Sequence, residues 1–265
     1  MTADRQPDAA SLLRQDAAGI ATLTLNRPAA RNALSRGLMG ALQGELDRIA
    51  ADRSVRVVVI AAAGPGFCAG HDLKEIRSDP RRETYEALFA QCSRLMQSIV
   101  RLPQPVIARV HGIATAAGCQ LVASCDLAIA GAAARFATPG VNIGLFCSTP
   151  MVALSRNVAP KHAMEMLLTG DLIEAETAAR IGLVNRVVAD GDLDQAVAAL
   201  AHQIAGKSTA TVKIGKEAFY RQREMSLGDA YDYASRVMTE NMMKRDATEG
   251  IDAFIEKRQP EWKDQ

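Results

Sequence analysis

Apolar and polar residues alternate from Ile20 to Leu25, which predicts a half-buried strand, and Asn26-Arg27-Pro28 stops it. Ser35 stands as an N-cap for a helix predicted to run to about Ala51. The largely apolar segments 56–62, 105–110 and 126–130 predict further strands. Between them Tyr85, Leu88, Phe89, Cys92, Leu95, Met96 and Ile99 recur at three and four residues, so 82–101 should be one long amphipathic helix. After about Gly206 the strand signal ends, and helices are predicted at 209–223, 227–244 and 246–257. Strands separated by helices define an α/β chain with an all-helical C-terminal part.

With 265 residues and 48% apolar content, the chain can bury a full core as one large domain or a domain with an appendage. Its 31 basic and 30 acidic residues nearly cancel, which argues against nucleic acid or a membrane surface as partner. No apolar run approaches eighteen residues, so no membrane span is expected. Asp4 and Asp8 with no apolar h-region disfavour a secretory signal and a mitochondrial presequence, and residues 1–14 are expected to form a loose tail. Cys68, Cys92, Cys119, Cys125 and Cys147 have no CxxC spacing and sit mostly in apolar runs. They read as reduced core residues of a cytoplasmic protein, with neither a metal site nor a separate cofactor expected.

Two segments carry the chemistry. Phe67-Cys68-Ala69-Gly70-His71-Asp72-Leu73-Lys74-Glu75 follows a strand and a Gly64-Pro65-Gly66 turn, so its backbone can expose the Ala69 amide. Gly112-Ile113-Ala114-Thr115-Ala116-Ala117-Gly118-Cys119-Gln120 follows another strand and opens a helix, where the Ala117 N–H is unpaired at the positive end of the dipole. Together they look like two N–H donors for one thioester oxygen, and each such donor is worth about 2.7–4 kcal/mol when charge grows on that oxygen. The second segment lacks the Gly-x-Gly-x-x-Gly of a dinucleotide fold, and no Gly-x-Ser-x-Gly elbow of a serine hydrolase occurs.

Asn26-Arg27-Pro28, Arg31-Asn32-Ala33-Leu34, Phe67 to Glu75, His111-Gly112, Ser124-Cys125-Asp126 and Leu167-Leu168-Thr169-Gly170 follow one another in an order that resembles the enoyl-CoA hydratase/isomerase (crotonase) superfamily. The resemblance runs from about Ile20 to the C-terminus. The wording from Ala114 to Asp126, with Phe136 to Pro150, most resembles the subgroup called enoyl-CoA hydratase domain-containing protein 3. It implies a crotonase spiral of ββα units over 15–205 and a C-terminal helical region, 206–265, that packs on a neighbouring subunit in homotrimers or hexamers. It further implies an acyl-CoA substrate in fatty acid metabolism. Arg31, Ala33 and Leu34 would meet the nucleotide end, and Ala69, His71, Asp72 and Leu73 the adenine and pantetheine. Ile113, Ala117, Pro139, Gly140 and Gly144 would complete the CoA contacts, with Lys74 near phosphate. Ile76, Tyr85, Leu88 and Phe89 fall in the variable acyl-pocket segment.

The departures carry equal weight. The two glutamates of the family's hydratases are replaced by Gln120 and Gly140. Hydration needs one group to deprotonate water and another to manage the α-proton, each worth about 10²–10⁴-fold. Classical hydration is therefore expected to be weak or absent. By analogy with dihydroxynaphthoyl-CoA synthases, which also have glycine at the second position, Gly140 would leave room for an anion or water. His71 could face the thioester or simply line the pantetheine channel, whereas Asp72 reads as a helix cap before a base. Cys147 and Ser148 are candidate nucleophiles with His71 as the one evident base, but Cys147 reads more simply as core. The remaining reactions are isomerisation, decarboxylation or thioester hydrolysis, and the rival reading is a non-catalytic acyl-CoA-binding protein.

Overall fold

The computed structural model describes residues 10–264. A hairpin of β1 (Leu12–Ala17) and β2 (Ile20–Leu25) leads into α1 (Arg36–Ala51), β3 (Val57–Ala62), α2 (Leu73–Ser78) and α3 (Arg82–Arg101). Next come β4 (Val106–Val110), β5 (Ile113–Thr115), α4 (Ala117–Ser124), β6 (Leu127–Gly131) and β7 (Arg135–Ala137). Then α5 (Ser148–Leu154), α6 (Pro160–Thr169), β8 (Ile173–Glu174), α7 (Ala175–Arg180) and β9 (Arg186–Val188) close the core. Four helices finish the chain: α8 (Leu193–Ala205), α9 (Thr209–Gln222), α10 (Leu227–Met242) and α11 (Arg245–Glu256).

The main sheet has the order β1-β2-β3-β4-β6-β9 and is parallel except for its first pair. A second sheet, β5-β7-β8, stands beside it, so successive turns of the chain feed two sheets and make the crotonase spiral. Every residue of β3 is buried because helices cover both faces, as parallel sheets require. Val58 and Ile60 face the core filled by α1 and α3, whereas Val57 and Val59 pack with Leu193, Val197 and Ala201 of α8. The Ser35 hydroxyl accepts the Leu38 N–H at 3.1 Å, as a cap should. The tail expected over 1–14 lies outside the described residues up to position 9, and from Leu12 the chain is already strand β1, paired with β2.

The helical C-terminus is tied to the sheet region of the same chain. Lys216 of α9 donates to the Ile99 and Gln104 carbonyls at 3.1 and 3.0 Å and meets the Asp126 carboxylate at 2.6 Å. Tyr220 adds a 2.9 Å bond to the other Asp126 oxygen, and the Val106 N–H donates to the same carboxylate. Burial works against the charge on both Asp126 and Lys216, so each needs the other. Lys216→Met should thus leave Asp126 buried without its counter-ion and lower stability by about 3–5 kcal/mol in urea unfolding, whereas an unchanged midpoint would remove the pair from the account of how α9 docks.

Candidate functional site

Segment 67–71 leaves β3 and is stitched to the approach of α4. The Cys68 N–H donates to the Ile113 carbonyl at 3.0 Å, the Thr115 N–H to the Cys68 carbonyl at 2.9 Å, and the Thr115 hydroxyl to the Ala69 carbonyl at 3.2 Å. Glycine is obligatory at this crossing: a Cβ on Gly118 would lie 2.1 Å from the Cys68 oxygen. A Cβ on Gly70, whose φ is +96°, would lie 2.9 Å from the Ala116 Cβ and 3.3 Å from the Ala117 nitrogen. Ala116 itself has φ 50° and ψ −119°, a conformation that costs a residue with a Cβ about 1–3 kcal/mol and that its N–H bond to the Ala137 carbonyl helps to hold.

This crossing corrects one expected donor. The Ala69 N–H is spent on the Arg31 carbonyl at 3.0 Å. His71 pairs in parallel with Leu34, through the Gly70 carbonyl and the Asp72 N–H, so its own N–H points away from that pairing. Among the described residues no acceptor is found for the N–H groups of His71 or Ala117. Ala117, the first residue of α4, has the open N–H expected of it; in the first segment the open N–H is that of His71, two residues beyond Ala69.

The side chains around the crossing offer little acid or base. Gln120 is 4% exposed, and its amide oxygen meets the Cys92 thiol at 3.9 Å. The His71 Nε2 is buried without a partner, Phe89 stacks edge-on at 5.6 Å, and burial pulls the imidazole pKa down to about 4. His71 is therefore neutral at pH 7 and a weak base. The room expected at Gly140 is not there: a Cβ at this position would meet the Leu145 carbonyl at 2.6 Å and the Cys147 sulfur at 2.9 Å. Loop 144–147 folds back and fills the space a side chain would take.

Cys147 is that filling. It is buried, burial raises its thiol pKa, and no base is bonded to it. Ser148 is exposed and bonded only to the Phe146 carbonyl, at 3.4 Å. Neither residue is an activated nucleophile. Cys68, Cys92 and Cys119 are likewise pushed up to about 12 by burial. Among the described residues no three His, Cys, Asp or Glu side chains gather to hold a metal.

Of the residues expected to meet CoA, Arg31, Ala69 and Ile113 border one small cavity of about 210 Å³ with Pro65 and Gly66. Ala33 and Leu34 instead point into the core, at 8% and 0% exposure, and serve the site through backbone pairing. Asp72 caps α2 by accepting the Lys74 and Glu75 N–H groups and is tied to Arg27 at 3.0 Å. Burial opposes its charge, but Arg27 and the Glu75 amide hold the carboxyl below the usual range. Leu73, Pro139 and Gly144 lie at the surface or part-buried, Gly144 in the left-handed conformation after the 3₁₀ turn Pro139–Ile143. Leu88 is core, and of the expected acyl-pocket residues Phe89 is the one that reaches His71. Asn32, given no role by the sequence beyond its motif, is fully buried and donates to the Ala63 and Gly66 carbonyls, fixing the turn before Phe67. Its place in the Arg31-Asn32-Ala33-Leu34 segment was the available signal.

The family model described as enoyl-CoA hydratase/isomerase matches residues 15–265. The chain is 45% identical over 259 residues to enoyl-CoA hydratase domain-containing protein 3, mitochondrial, of Rattus norvegicus, covering 98% of this chain and 86% of that one. A crystal structure of an enoyl-CoA hydratase of Mycobacterium smegmatis superposes with a TM-score of 0.94 at 57% identity, covering 95% and 98% of the two chains. The crystal structure of human enoyl Coenzyme A hydratase domain-containing protein 3 gives 0.93 at 45%, covering 95% and 100%. The Rattus norvegicus relative is named as mitochondrial, as are those of human, mouse and Xenopus laevis, which overturns the expected cytoplasmic placement. Reduced cysteines mark a reducing compartment and do not single out the cytosol.

The buried imidazole gives a pH signature. With a folded pKa near 4 and an unfolded value near 6.5, the unfolded chain binds more protons between those limits, so stability falls as pH drops through that window. Urea unfolding at pH 5 should show a loss of about 2 kcal/mol relative to pH 7 that His71→Gln abolishes; an imidazole titrating near 6.5 by NMR would refute the burial argument.

Proposed function

The chain belongs to the enoyl-CoA hydratase/isomerase family, and on that premise we propose that it acts on acyl-CoA thioesters, holding the charge that grows on the thioester oxygen with the His71 and Ala117 N–H groups. The observation that carries the reading is that these two amides, on either side of the Gly70 crossing, have no acceptor among the described residues. Both are fixed by backbone contacts, so they need no reorganisation when charge develops.

With Gln120 for one carboxylate and a filled position at Gly140, classical hydration is weak or absent. A glutamine amide can hold water but cannot take its proton. Isomerisation asks for a base at the α-carbon, and hydrolysis for an activated nucleophile or water. Loss of CO₂ from an α-carboxylated acyl-CoA asks for neither. The C–C bond to the carboxylate breaks, its electron pair moves through the α-carbon onto the thioester oxygen held by the two amides, and the enolate carbon then takes a proton from water. Decarboxylation is therefore placed ahead of the other two. Non-catalytic acyl-CoA binding is the second reading, favoured by the burial that keeps both the His71 imidazole and the Cys147 thiol uncharged.

Purified chain incubated with crotonyl-CoA and with methylmalonyl-CoA separates these readings when the enoyl chromophore, CO₂ and free CoA are followed together. The expected result is an unchanged crotonyl chromophore, and CO₂ without free CoA from the second thioester. Ala117→Pro, in a variant with the parent's circular dichroism, should lower that turnover about 10²–10³-fold. Rapid hydration of crotonyl-CoA would overturn the inference from Gln120 and Gly140. Binding of both thioesters without turnover would favour the non-catalytic reading.

The assembly proposed is a homotrimer or a dimer of trimers. Its support is the apolar surface of the last helices and their ends, where Leu227, Met243, Phe254 and Ile255 are 71–85% exposed. Sedimentation equilibrium should return three or six chain masses, and a monomer at micromolar concentration would rule the assembly out.

A further inference from the structure

Beside Gln120 lies a cavity of about 950 Å³ walled by α3, α4, α5 and α9. Its chemistry changes along its length. Ser93, Gln120 and Thr149 mark the end nearest the amides: Cys92, next to Ser93, reaches Gln120, and Thr149 lies two residues beyond Cys147. From that end α3, α4 and α5 all run outward. Met96, Val100, Ala123 and Val152 give the cavity an apolar middle. Arg101 at the end of α3 and Arg156 just beyond α5 mark the far end, where α9 contributes further cations. From Ser93 to Arg101 the α3 wall rises about 12 Å.

The far end carries more positive charge than it needs for folding. Arg156 is matched by Glu224 at 3.5 Å and Lys216 by Asp126 at 2.6 Å. That leaves Arg101, Lys213, Arg221 and Arg223 around a single carboxylate, Glu217. Arg221 and Arg223 lie over the rings of Tyr233 and Phe219, whereas Arg101 and Lys213 are exposed at the rim. A purely hydrocarbon tail gains nothing from these groups. An anionic group would take charge-assisted hydrogen bonds from them.

We propose that this cavity receives the acyl chain and selects acyl groups whose far end carries a carboxylate. The amides hold the thioester, the apolar middle takes a methylene chain, and Arg101 and Lys213 take the terminal anion. The inference rests on the acyl-CoA reading above and assigns the substrate class within it.

Isothermal titration of the full chain with octanoyl-CoA and with octanedioyl-CoA, its terminal-carboxylate counterpart, tests both levels separately. The dicarboxylic thioester should bind at least about tenfold tighter at low salt, the scale of one hydrogen bond to a charged group, and the advantage should shrink as salt rises. Replacing Arg101→Gln together with Lys213→Gln should collapse the ratio of the two affinities toward one. Equal binding of the two thioesters, or a preference for octanoyl-CoA, would overturn the inference while leaving the acyl-CoA reading in place. A preference that survives the double substitution would overturn the assignment to these two cations. Binding of neither thioester would overturn the acyl-CoA reading and the inference with it.

Discussion

The site depends on one steric fact: the Cys68 carbonyl occupies the place where residue 118 would carry a side chain. That approach brings the exit of β3 and the entrance of α4 into backbone contact, so their relative position is set by main-chain hydrogen bonds and not by rotamers. Two amides that must be aimed within a fraction of an ångström are best held this way, because backbone pairing leaves few soft degrees of freedom. The left-handed backbone at Ala116 is the local cost of turning the chain sharply enough to present a helix N-terminus to the crossing.

Burial then sets the electrical character of the surroundings. His71 is kept neutral, the thiols are kept protonated, and Gln120 is neutral by nature, so none of these side chains brings a full charge to the N–H dipoles. Low polarizability strengthens such dipoles toward a developing anion. The one buried ion pair near the cavity, Lys216 with Asp126, sits in its wall and is satisfied on both sides by carbonyls, an amide and a phenol.

Periodicity made the large elements legible. The amphipathic repeat from Tyr85 to Ile99 falls inside α3, and the apolar segments at 56–62 and 105–110 contain β3 and β4. Strands β5, β7 and β8 have two or three residues each and exist through their partners, so no local pattern announces them. The amides left without an acceptor were legible to within two residues. Which of Ala69 and His71 has its N–H spent depends on Arg31, far away in sequence, and no motif records that pairing. Likewise Asp126 was visible as part of a motif, but its counter-ion Lys216, ninety positions later, looked like one more polar residue on a helix.

Gln120 and Gly140 stand at unequal distances from the carboxylates they lack. Glutamine and glutamate have the same shape, so the first position exchanges chemistry without moving an atom of backbone. Any side chain at the second must first evict the Leu145 carbonyl and the Cys147 sulfur. A carboxylate at position 120 would therefore fit the backbone as it stands, whereas one at position 140 requires the loop from Gly144 to Cys147 to be rebuilt first.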